Sequence, residues 1–439
     1  MLERVLAAHD AADERSPFIA VDADRAHEAA QASQIRWRDG RTRGPLDGLI
    51  VPVKDEFDMV GLPTLGGTTY TDEIRTEDAW VVQRLQDAGA IVLGKTHATE
   101  WGLNPLGVLE HHTGPRNVYD SERAPGGSST GSGVAVGLGW CPSAVGTDGG
   151  GSIRIPAALN GAFGIKPTYI RVGRPGDRWG ASSVAHIGPI GRSTRDLVEQ
   201  LAATAGIDPN DPLTRWAPDA HASAPWFAAL SRGIRGARIG VVTGELADAD
   251  PAIATAVSEA LAALEADGAV LVDVDIPLAS LVNGIGALCI GSETAANVSD
   301  LLEQHPKGFG HELAILLRMM DQVSAQDLLM AARNRAMLRR QSAAALADVH
   351  LLALPTLART AAPYAQSEDR TAILDSAATA AMTRFNFLGN LTGLPAGTVP
   401  IGLSDGLPMG LQLIGDAWDE ASVFAGMAHC ERLGLCDLT

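Results

Sequence analysis

The chain has 439 residues, of which 46% are hydrophobic and 20% are charged. This composition supplies a large buried core and excludes an intrinsically disordered chain. Its 34 Lys and Arg residues against 52 Asp and Glu residues give a net charge of −18, which would repel phosphate backbones and argues against direct nucleic-acid binding. No uninterrupted apolar run of about 18 residues occurs, so we expect no membrane-spanning helix and no membrane association.

The N-terminal segment and the cysteines indicate where the protein functions. The first residues, MLERVLAAHDAADER, include several acids and lack a long apolar stretch, so they are unlike a secretory signal. The cysteines are too few for a disulfide scaffold, and none has the spacing of a zinc site: Cys141, Cys289, Cys430 and Cys436. We therefore expect a globular protein of the cytoplasm with no metal site.

Short apolar segments alternate with amphipathic segments along the chain. The apolar segments predict strands at 49–53, 90–93, 237–242, 269–272, 350–354, 396–401 and 409–414. Apolar residues at helical spacing predict helices at 77–88, 194–205, 251–267, 324–348 and 420–433, the second of them opening with a Thr194 cap. A Pro-rich stretch at about 205–235 is either a domain boundary or a surface loop. The alternation indicates an α/β fold with a layered sheet.

Glycine is concentrated in two short stretches, 126–133 and 146–152. Twelve of the 48 glycines fall between residues 126 and 164, and the flanking residues are apolar, which favours tight buried loops over a flexible linker. Neither stretch has the spacing of a phosphate-binding loop. A serine nucleophile fits better, because three glycines directly before Ser152 allow several backbone N–H groups to converge on a developing oxyanion.

A nucleophilic serine needs a base, and the sequence offers histidines and lysines. The histidines nearest in sequence have no recognisable partner pattern: His97, His111, His112 and His186. Lys54 ends the apolar run 49–53, where burial can remove its proton. A salt bridge to a neighbouring acid, Asp55, Glu56 or Asp58, explains Lys54 equally well on spacing alone.

Three separated motifs together resemble the amidase signature family. They are Pro-Val-Lys-Asp at 52–55, Gly-Gly-Ser-Ser-x-Gly-Ser at 126–132 and Gly-Thr-Asp-x-Gly-Gly-Ser-Ile-Arg-x-Pro at 146–156. Their order and spacing suit the family, and the C-terminal segments 390–396 and 406–415 agree with it. The resemblance covers nearly the whole chain and thins between about 205 and 350.

The resemblance implies a catalytic Ser–cis-Ser–Lys triad. Ser152 would be the nucleophile, Ser128 the bridging serine after a cis peptide bond from Gly127, and Lys54 the base. Oxyanion or substrate contacts would come from Gly149, Gly150, Gly151 and Ser129, with the amide of Ser152. Supporting positions would be Thr147, Asp148 and Arg154, the last two as braces of the loop.

The resemblance also implies the architecture. We expect one large α/β domain over 1–439 with a central mixed, mostly parallel, twisted β-sheet covered by helices. The core motifs would occupy 45–195, a variable substrate-pocket region about 205–385, and C-terminal strands and a helix 390–435.

The implied reaction is hydrolysis of a carboxylic amide C–N bond through an acyl-enzyme, on a small amide, with no metal or organic cofactor. Two alternatives within the family stay open: the glutaminase subunit of a tRNA amidotransferase, and an acyltransferase that uses the same acyl-enzyme. A non-catalytic scaffold, and a GxSxG nucleophile centred on Ser129, are weaker alternatives. The resemblance allows a homodimer, since family members are often dimers, but no heptad or apolar stripe in the sequence indicates an interface.

Some residues depart from the family pattern or suggest a pocket. Glu56-Phe57 replaces the usual Asn-Ile, and Thr130 replaces a usual glycine. These changes are expected to affect the rim more than the triad.

Pocket loops are expected at 170–186, 310–325 and 356–385. In the first, Arg171, Arg174 and Arg178 either hold a substrate carboxylate or belong to a solvated loop. In the second, the apolar side chains line a pocket or form a packed helix face: Leu313, Leu316, Leu317, Met319 and Met320, beside His311.

Overall fold

A computed structural model describes residues 1–12, 15–174, 183–218, 223–364 and 375–438. Over these residues the strands form one continuous sheet. They are β1 (Phe18–Val21), β2 (Val53–Lys54), β3 (Gly94–Thr96), β4 (Ser143–Asp148), β5 (Phe163–Lys166), β6 (His186–Gly191), β7 (Arg238–Val242), β8 (Val270–Val274), β9 (Leu351–Pro355), β10 (Ala396–Ser404) and β11 (Leu407–Ile414).

The sheet is mixed, and its strand order is β1-β3-β2-β4-β6-β5-β10-β11-β9-β7-β8. Parallel pairing joins β3 to β2, β2 to β4, β9 to β7 and β7 to β8. The other six described pairings are antiparallel, so the expectation of a mostly parallel sheet is wrong. One reason is the tight turn at Asp405-Gly406 between β10 and β11, since only antiparallel strands can be joined by so short a connection.

Helices cover both faces of the sheet. They are α1 (Leu2–Ala12), α2 (Ala23–Arg38), α3 (Trp80–Asp87), α4 (Thr130–Gly137), α5 (Arg154–Leu159), α6 (Thr194–Thr204), α7 (Ala224–Arg232), α8 (Thr243–Ala247), α9 (Pro251–Ala266), α10 (Val282–Gln304), α11 (His311–Met320), α12 (Ala325–Leu346), α13 (Ser376–Thr383), α14 (Phe387–Thr392) and α15 (Glu420–Arg432). Alternate residues of β9 point to opposite faces. Leu351 and Ala353 pack in the core with α3, α6, α7, α9 and α15, whereas Leu352 and Leu354 pack in the core with α5, α10, α12 and α14.

The amphipathic helices form close to the predicted positions because capping residues mark their starts. Ser324 and Asp327 form a reciprocal capping box at the start of α12. The cap of α6 is Ser193 rather than the expected Thr194, since the Ser193 hydroxyl accepts a hydrogen bond from the Asp196 N–H at 3.2 Å.

The predicted strands at 49–53 and 90–93 form only in part. Pro52 lacks an N–H for the ladder, and regular pairing is limited to Val53–Lys54 and an isolated bridge between Ile50 and Ile91. Lys54 is therefore the last residue of a short buried strand between β3 and β4.

The described residues of the Pro-rich stretch at about 205–235 pack on the main body rather than linking two domains. Trp226 of α7 meets Phe424 of α15 edge to face, with ring centroids 6.2 Å apart, and both side chains are buried in the core.

None of the helices in the described part of the chain combines the length and the hydropathy that a membrane span requires.

Candidate active site

Lys54 lies at the centre of the site, completely buried at the end of β2. Its Nζ is 2.7 Å from Ser128 Oγ, 2.7 Å from Thr147 Oγ1 and 3.0 Å from Glu56 Oε1. Burial lowers the pKa of Lys54 below its ordinary value, although the carboxylates of Glu56, Asp148 and Asp55 act to raise it. Burial thus makes this amine easier to deprotonate than an exposed lysine, while it contacts both a serine hydroxyl and the Glu56 carboxylate.

Ser128 is held in a tight loop that precedes α4. The peptide bond between Gly127 and Ser128 is cis, as the family resemblance implies. The Thr99 N–H donates to Ser128 O at 3.1 Å, and the Gly127 N–H donates to Pro105 O at 2.8 Å. These bonds fix the backbone on both sides of the cis bond, so the hydroxyl is held in place against Lys54.

Ser152 follows the glycine turn 149–151, directly after β4. The Ser129 N–H donates to Ser152 O at 3.2 Å, which places the Ser152 residue beside the Ser128 loop. Within the described residues, the amides of Gly149, Gly150 and Ser152 donate to no protein acceptor. These three N–H groups are therefore available to an oxyanion.

Gly151 differs from the other glycines of the turn. Its N–H donates to Asp148 Oδ1 at 2.7 Å, so the expectation that Gly151 supplies an oxyanion donor is wrong. Its φ of +118° lies in a region that side chains disfavour, and a Cβ there would lie 2.8 Å from Asn386 Cβ. Gly151 therefore shapes the turn, while its neighbours present their amides.

Asp148 and Arg154 form a fully buried ion pair under this turn. Both Asp148 oxygens accept from the Arg154 guanidinium, at 2.8 and 2.9 Å. Arg154 also donates to Asn390 Oδ1 at 2.6 Å, to Asn386 O at 3.0 Å and to the Gln412 side chain. Burial raises the pKa of the Asp148 carboxyl, but Arg154 outweighs burial and holds the pKa below its usual range. The two residues brace the glycine turn against α14 and β11.

Ser129 also helps to hold the glycine turn in place. Its hydroxyl donates to Thr147 O and accepts from Thr147 N–H, both at 3.1 Å. Its amide bonds to Ser152, and the residue is fully buried. The expected oxyanion or substrate contact from Ser129 is therefore not available, and the same bonds argue against Ser129 as a GxSxG nucleophile.

Glu56 belongs to the site rather than to its rim, contrary to expectation. Besides its contact with Lys54, its Oε2 accepts from the Thr147 hydroxyl at 2.8 Å. The Glu56 N–H donates to Lys54 O at 2.7 Å across a three-residue turn. The chain thus folds back directly after β2 and brings the carboxylate next to the amine two residues before it.

The four histidines nearest in sequence are not placed to act as bases at this site. Burial lowers the pKa of His97 to about 3, and the pKa of His186 also lies well below its usual value because of burial. His186 Nδ1 is 2.7 Å from Val184 O. His112 Nε2 is 3.4 Å from Thr68 O, and His111 Nε2 is 3.5 Å from Glu100 Oε1. Within the described chain, no histidine is a hydrogen-bond partner of Ser128 or Ser152.

Two of the three arginines considered for substrate binding are engaged inside the protein. Arg171 is buried and pairs with Glu420 at 2.7 Å, and Arg174 pairs with Asp211 at 3.5 Å. Neither guanidinium is free for a substrate carboxylate. Arg178 lies outside the described residues.

The apolar residues of 310–320 divide between core and surface. Leu313 and Leu317 are buried against α10. Met320 also packs against this helix, since a Cβ added to Gly291 of α10 would lie 2.7 Å from Met320 Sδ. Met319 is 52% exposed. Leu313 and Leu317 thus belong to a packed helix face, whereas His311 and Met319 line an open surface pocket of about 410 Å³, so each expected alternative holds for part of the segment.

The walls next to the glycine turn come from α10 and α14. A Cβ on Gly149 would lie 2.9 Å from Ile290 Cδ1, and one on Gly150 would lie 2.6 Å from Phe387 Cε1. Ile290 and Phe387 had no motif to reveal them in the sequence. No group of three or more His, Cys, Asp or Glu side chains in the described residues is arranged to hold a metal ion.

Comparison with known proteins shows the family of this chain. The family model described as Amidase matches residues 1–424. The chain belongs to the amidase signature family, whose members act on amides through a serine triad, an oxyanion hole and an acyl-enzyme. This agrees with the resemblance that the three sequence motifs show.

Individual relatives have different activities. The chain is 34% identical to a glutamyl-tRNA(Gln) amidotransferase subunit of Chloroflexus aurantiacus over 92% of this chain and 87% of the relative. It is 32% identical to "Fatty acid amide hydrolase" of Arabidopsis thaliana over 95% of this chain and 70% of the relative. A solved structure described as a vestigial protein complex revealing the origins of an s-triazine catabolic enzyme superposes with a TM-score of 0.91. That structure is 30% identical, over 100% of this chain and 95% of its own.

Proposed function

We propose that the protein is an amidohydrolase that cleaves the C–N bond of a small carboxylic amide through an acyl-enzyme on Ser152. The observation that supports this most directly is the 2.7 Å contact between Lys54 Nζ and Ser128 Oγ. Burial of Lys54 favours its neutral form, which can accept a proton. The free amides of Gly149, Gly150 and Ser152 supply the oxyanion donors.

The proposed reaction would use these groups in the following order. Lys54 accepts a proton from Ser128 as Ser128 accepts one from Ser152, and Ser152 Oγ attacks the amide carbon. The oxyanion that forms is stabilised by the glycine-turn amides, each worth about 3–4 kcal/mol in comparable sites. The proton returns through Ser128 to the departing nitrogen as the C–N bond breaks. Water then attacks the ester by the same route and releases the acid.

A small substrate fits the packing around the turn. Ser152 is 6% exposed, and Ile290 and Phe387 stand within van der Waals reach of Gly149 and Gly150. An apolar or aryl acyl group beside these side chains gains from burying apolar surface, whereas a charged one would lose hydration without a partner. We therefore propose an uncharged acyl portion.

A glutaminase activity is the second candidate, because a relative of 34% identity is a subunit of an amidotransferase. Such a protein would release ammonia from glutamine rather than hydrolyse a small apolar amide. The net charge of −18 is compatible with it, since a partner would then have to contact the nucleic acid.

A release assay distinguishes these candidates. The purified chain is offered aliphatic, aryl and carboxylated amides and glutamine, and released ammonia or amine is measured, with hydroxylamine added in a parallel series to detect acyl transfer. We expect turnover of an aliphatic or aryl amide and its loss in Ser152→Ala, with unchanged circular dichroism. Turnover of glutamine alone would favour the glutaminase, and undiminished turnover in folded Ser152→Ala would refute the proposal.

A further inference from the structure

The amine of Lys54 has three oxygen neighbours, but a neutral amine has only two hydrogens and one lone pair. The neighbours are Ser128 Oγ, Thr147 Oγ1 and Glu56 Oε1, at 2.7, 2.7 and 3.0 Å. Lys54 can take the proton of Ser128 only if its lone pair faces that hydroxyl. Its two hydrogens must then bond to Thr147 and Glu56.

Glu56 determines both of these bonds. One carboxylate oxygen faces the Lys54 amine directly. The other accepts the Thr147 hydroxyl hydrogen at 2.8 Å. With its hydrogen committed to Glu56, Thr147 presents oxygen lone pairs to Lys54 and accepts the second amine hydrogen.

The charges around Lys54 give Glu56 a second effect. Lys54 faces Glu56 and Asp55, which follow it in the chain, and Asp148 at the end of β4. Asp148 is paired with Arg154 at 2.8 Å, and Asp55 is paired with Lys95 at 2.7 Å. Among the described residues, Glu56 is paired with no other cation. It is therefore the main carboxylate opposing the charge that Lys54 acquires.

We propose that Glu56 is a positioning residue of the catalytic relay: it directs the Lys54 lone pair at Ser128 and stabilises the ammonium formed when the proton arrives. This role rests on the proposed function, because it acts through the base of the triad. It goes beyond the triad, since Glu56 touches neither the substrate nor the nucleophile.

We expect the site to tolerate a change at Glu56 better than a change at Lys54. The Glu56 side chain keeps 13% of its surface exposed, whereas Lys54 is completely buried. A Cβ on Gly102 would lie 3.1 Å from Glu56 Oε1 and 3.3 Å from Ser128 Oγ, so this glycine leaves space on one side of the pair. Glu56→Gln, which has nearly the same shape, should therefore fold.

The test uses the rate at which a fluorescent alkyl fluorophosphonate labels the protein between pH 5 and 10. Labelling forms an oxygen–phosphorus bond on Ser152 and expels fluoride, while the hydroxyl proton passes to Lys54. The probe requires no knowledge of the natural substrate. Glu56→Gln removes the charge, Glu56→Asp keeps the charge but shortens the side chain, and Glu303→Gln is the control on the surface, where Glu303 is 62% exposed.

We expect the labelling rate to rise with pH as Lys54 loses its proton. Glu56→Gln should move this rise to lower pH by about one unit or more, because a carboxylate that raises the Lys54 pKa is gone. Its plateau rate should fall about tenfold, because the lone pair is less well directed. Glu56→Asp should keep the wild-type position of the rise and lose plateau rate, and Glu303→Gln should change neither.

The outcomes separate this proposal from the proposed function. A wild-type protein that is never labelled would refute the amidohydrolase itself. If the wild type is labelled but the rise in labelling rate of Glu56→Gln stays at the same pH or moves to higher pH, only the role of Glu56 is refuted. The same holds if the rise stays at the same pH while the plateau rate falls. If thermal melting shows that Glu56→Gln is unfolded, an undiminished plateau in folded Glu56→Asp overturns the proposal.

Discussion

Lys54 and Ser128 are 74 residues apart in the chain, yet Lys54 Nζ lies 2.7 Å from Ser128 Oγ. The parallel pairing of β2 with β3 and β4 fixes the lysine, and the loop before α4 fixes the serine. Both groups are buried, so the contact is shielded from water and electrostatically strong. In the proposed mechanism, proton transfer away from Ser152 depends on this contact.

Replacing the bridging serine should interrupt proton transfer without unfolding the protein. In Ser128→Ala, Lys54 keeps Thr147 and Glu56 as partners but loses its proposed link to Ser152. We expect the rate of fluorophosphonate labelling to fall about 100-fold or more, with a change in melting temperature of only a few degrees. Labelling at the wild-type rate would show that Ser128 is not in the relay.

The buried ion pair should be important for stability. Asp148→Asn leaves the Arg154 guanidinium buried beside a neutral amide, which should cost about 3–5 kcal/mol of unfolding free energy. Asp321→Asn is the control, since its pair with Arg318 spans 3.9 Å at the surface and should contribute less than about 1 kcal/mol. Urea denaturation measures both values, and equal losses would contradict the bracing role of Asp148.

Glu100 should make stability depend on pH. Burial raises its pKa to about 8, although it accepts the Gly310 N–H at 2.8 Å. Because the folded state holds this proton more tightly than the unfolded state, its contribution is complete below about pH 4.5. It is lost progressively as the pH rises towards 8.

Glu100→Gln should remove this loss. We expect the variant to match the wild type near pH 4.5 and to exceed its stability at pH 8 by about 1–3 kcal/mol. Melting temperatures at the two pH values provide the measurement. A variant that is less stable than the wild type at pH 8 would contradict the prediction.

The glycine turn should tolerate no side chain. A Cβ on Gly150 would lie 2.6 Å from Phe387 Cε1, so Gly150→Ala should displace the turn amides and reduce labelling about 100-fold or more. Gly244→Ala is the matched control, because no atom lies within 4 Å of its added Cβ and it lies in α8, where alanine is favoured. Equal labelling of both variants would show that the turn does not present the oxyanion donors.

The loops of this site could be predicted from the sequence, because their glycine and serine residues lie in short segments with unusual composition, whereas the roles of Lys54, Ser128 and Ser152 came from the resemblance of three motifs to a family. Amphipathic helices such as α6 and α12 were predictable for a similar reason, since local periodicity and caps determine them. The pairing of β5 with β6 and β10 could not be predicted from the sequence, because strand pairing depends on contacts between distant segments.

Two details of the site could be established only from the structure. The amide of Gly151 bonds to Asp148, and no spacing rule distinguishes it from the amides beside it. Glu56 reaches Lys54 because a three-residue turn folds the chain back. In a continued strand, the two side chains would point to the same face but lie further apart along the strand. Backbone geometry at these two turns decides which groups face the reaction.

In the proposed mechanism, a neutral Lys54 activates Ser152 through Ser128. Peptide mass mapping of the fluorophosphonate adduct tests it most directly, in the wild type and in folded Lys54→Met. We predict an adduct on Ser152 in the wild type and labelling of Lys54→Met slower by about 100-fold or more. An adduct on Ser129, or equally fast labelling of Ser152 without the lysine, would contradict it.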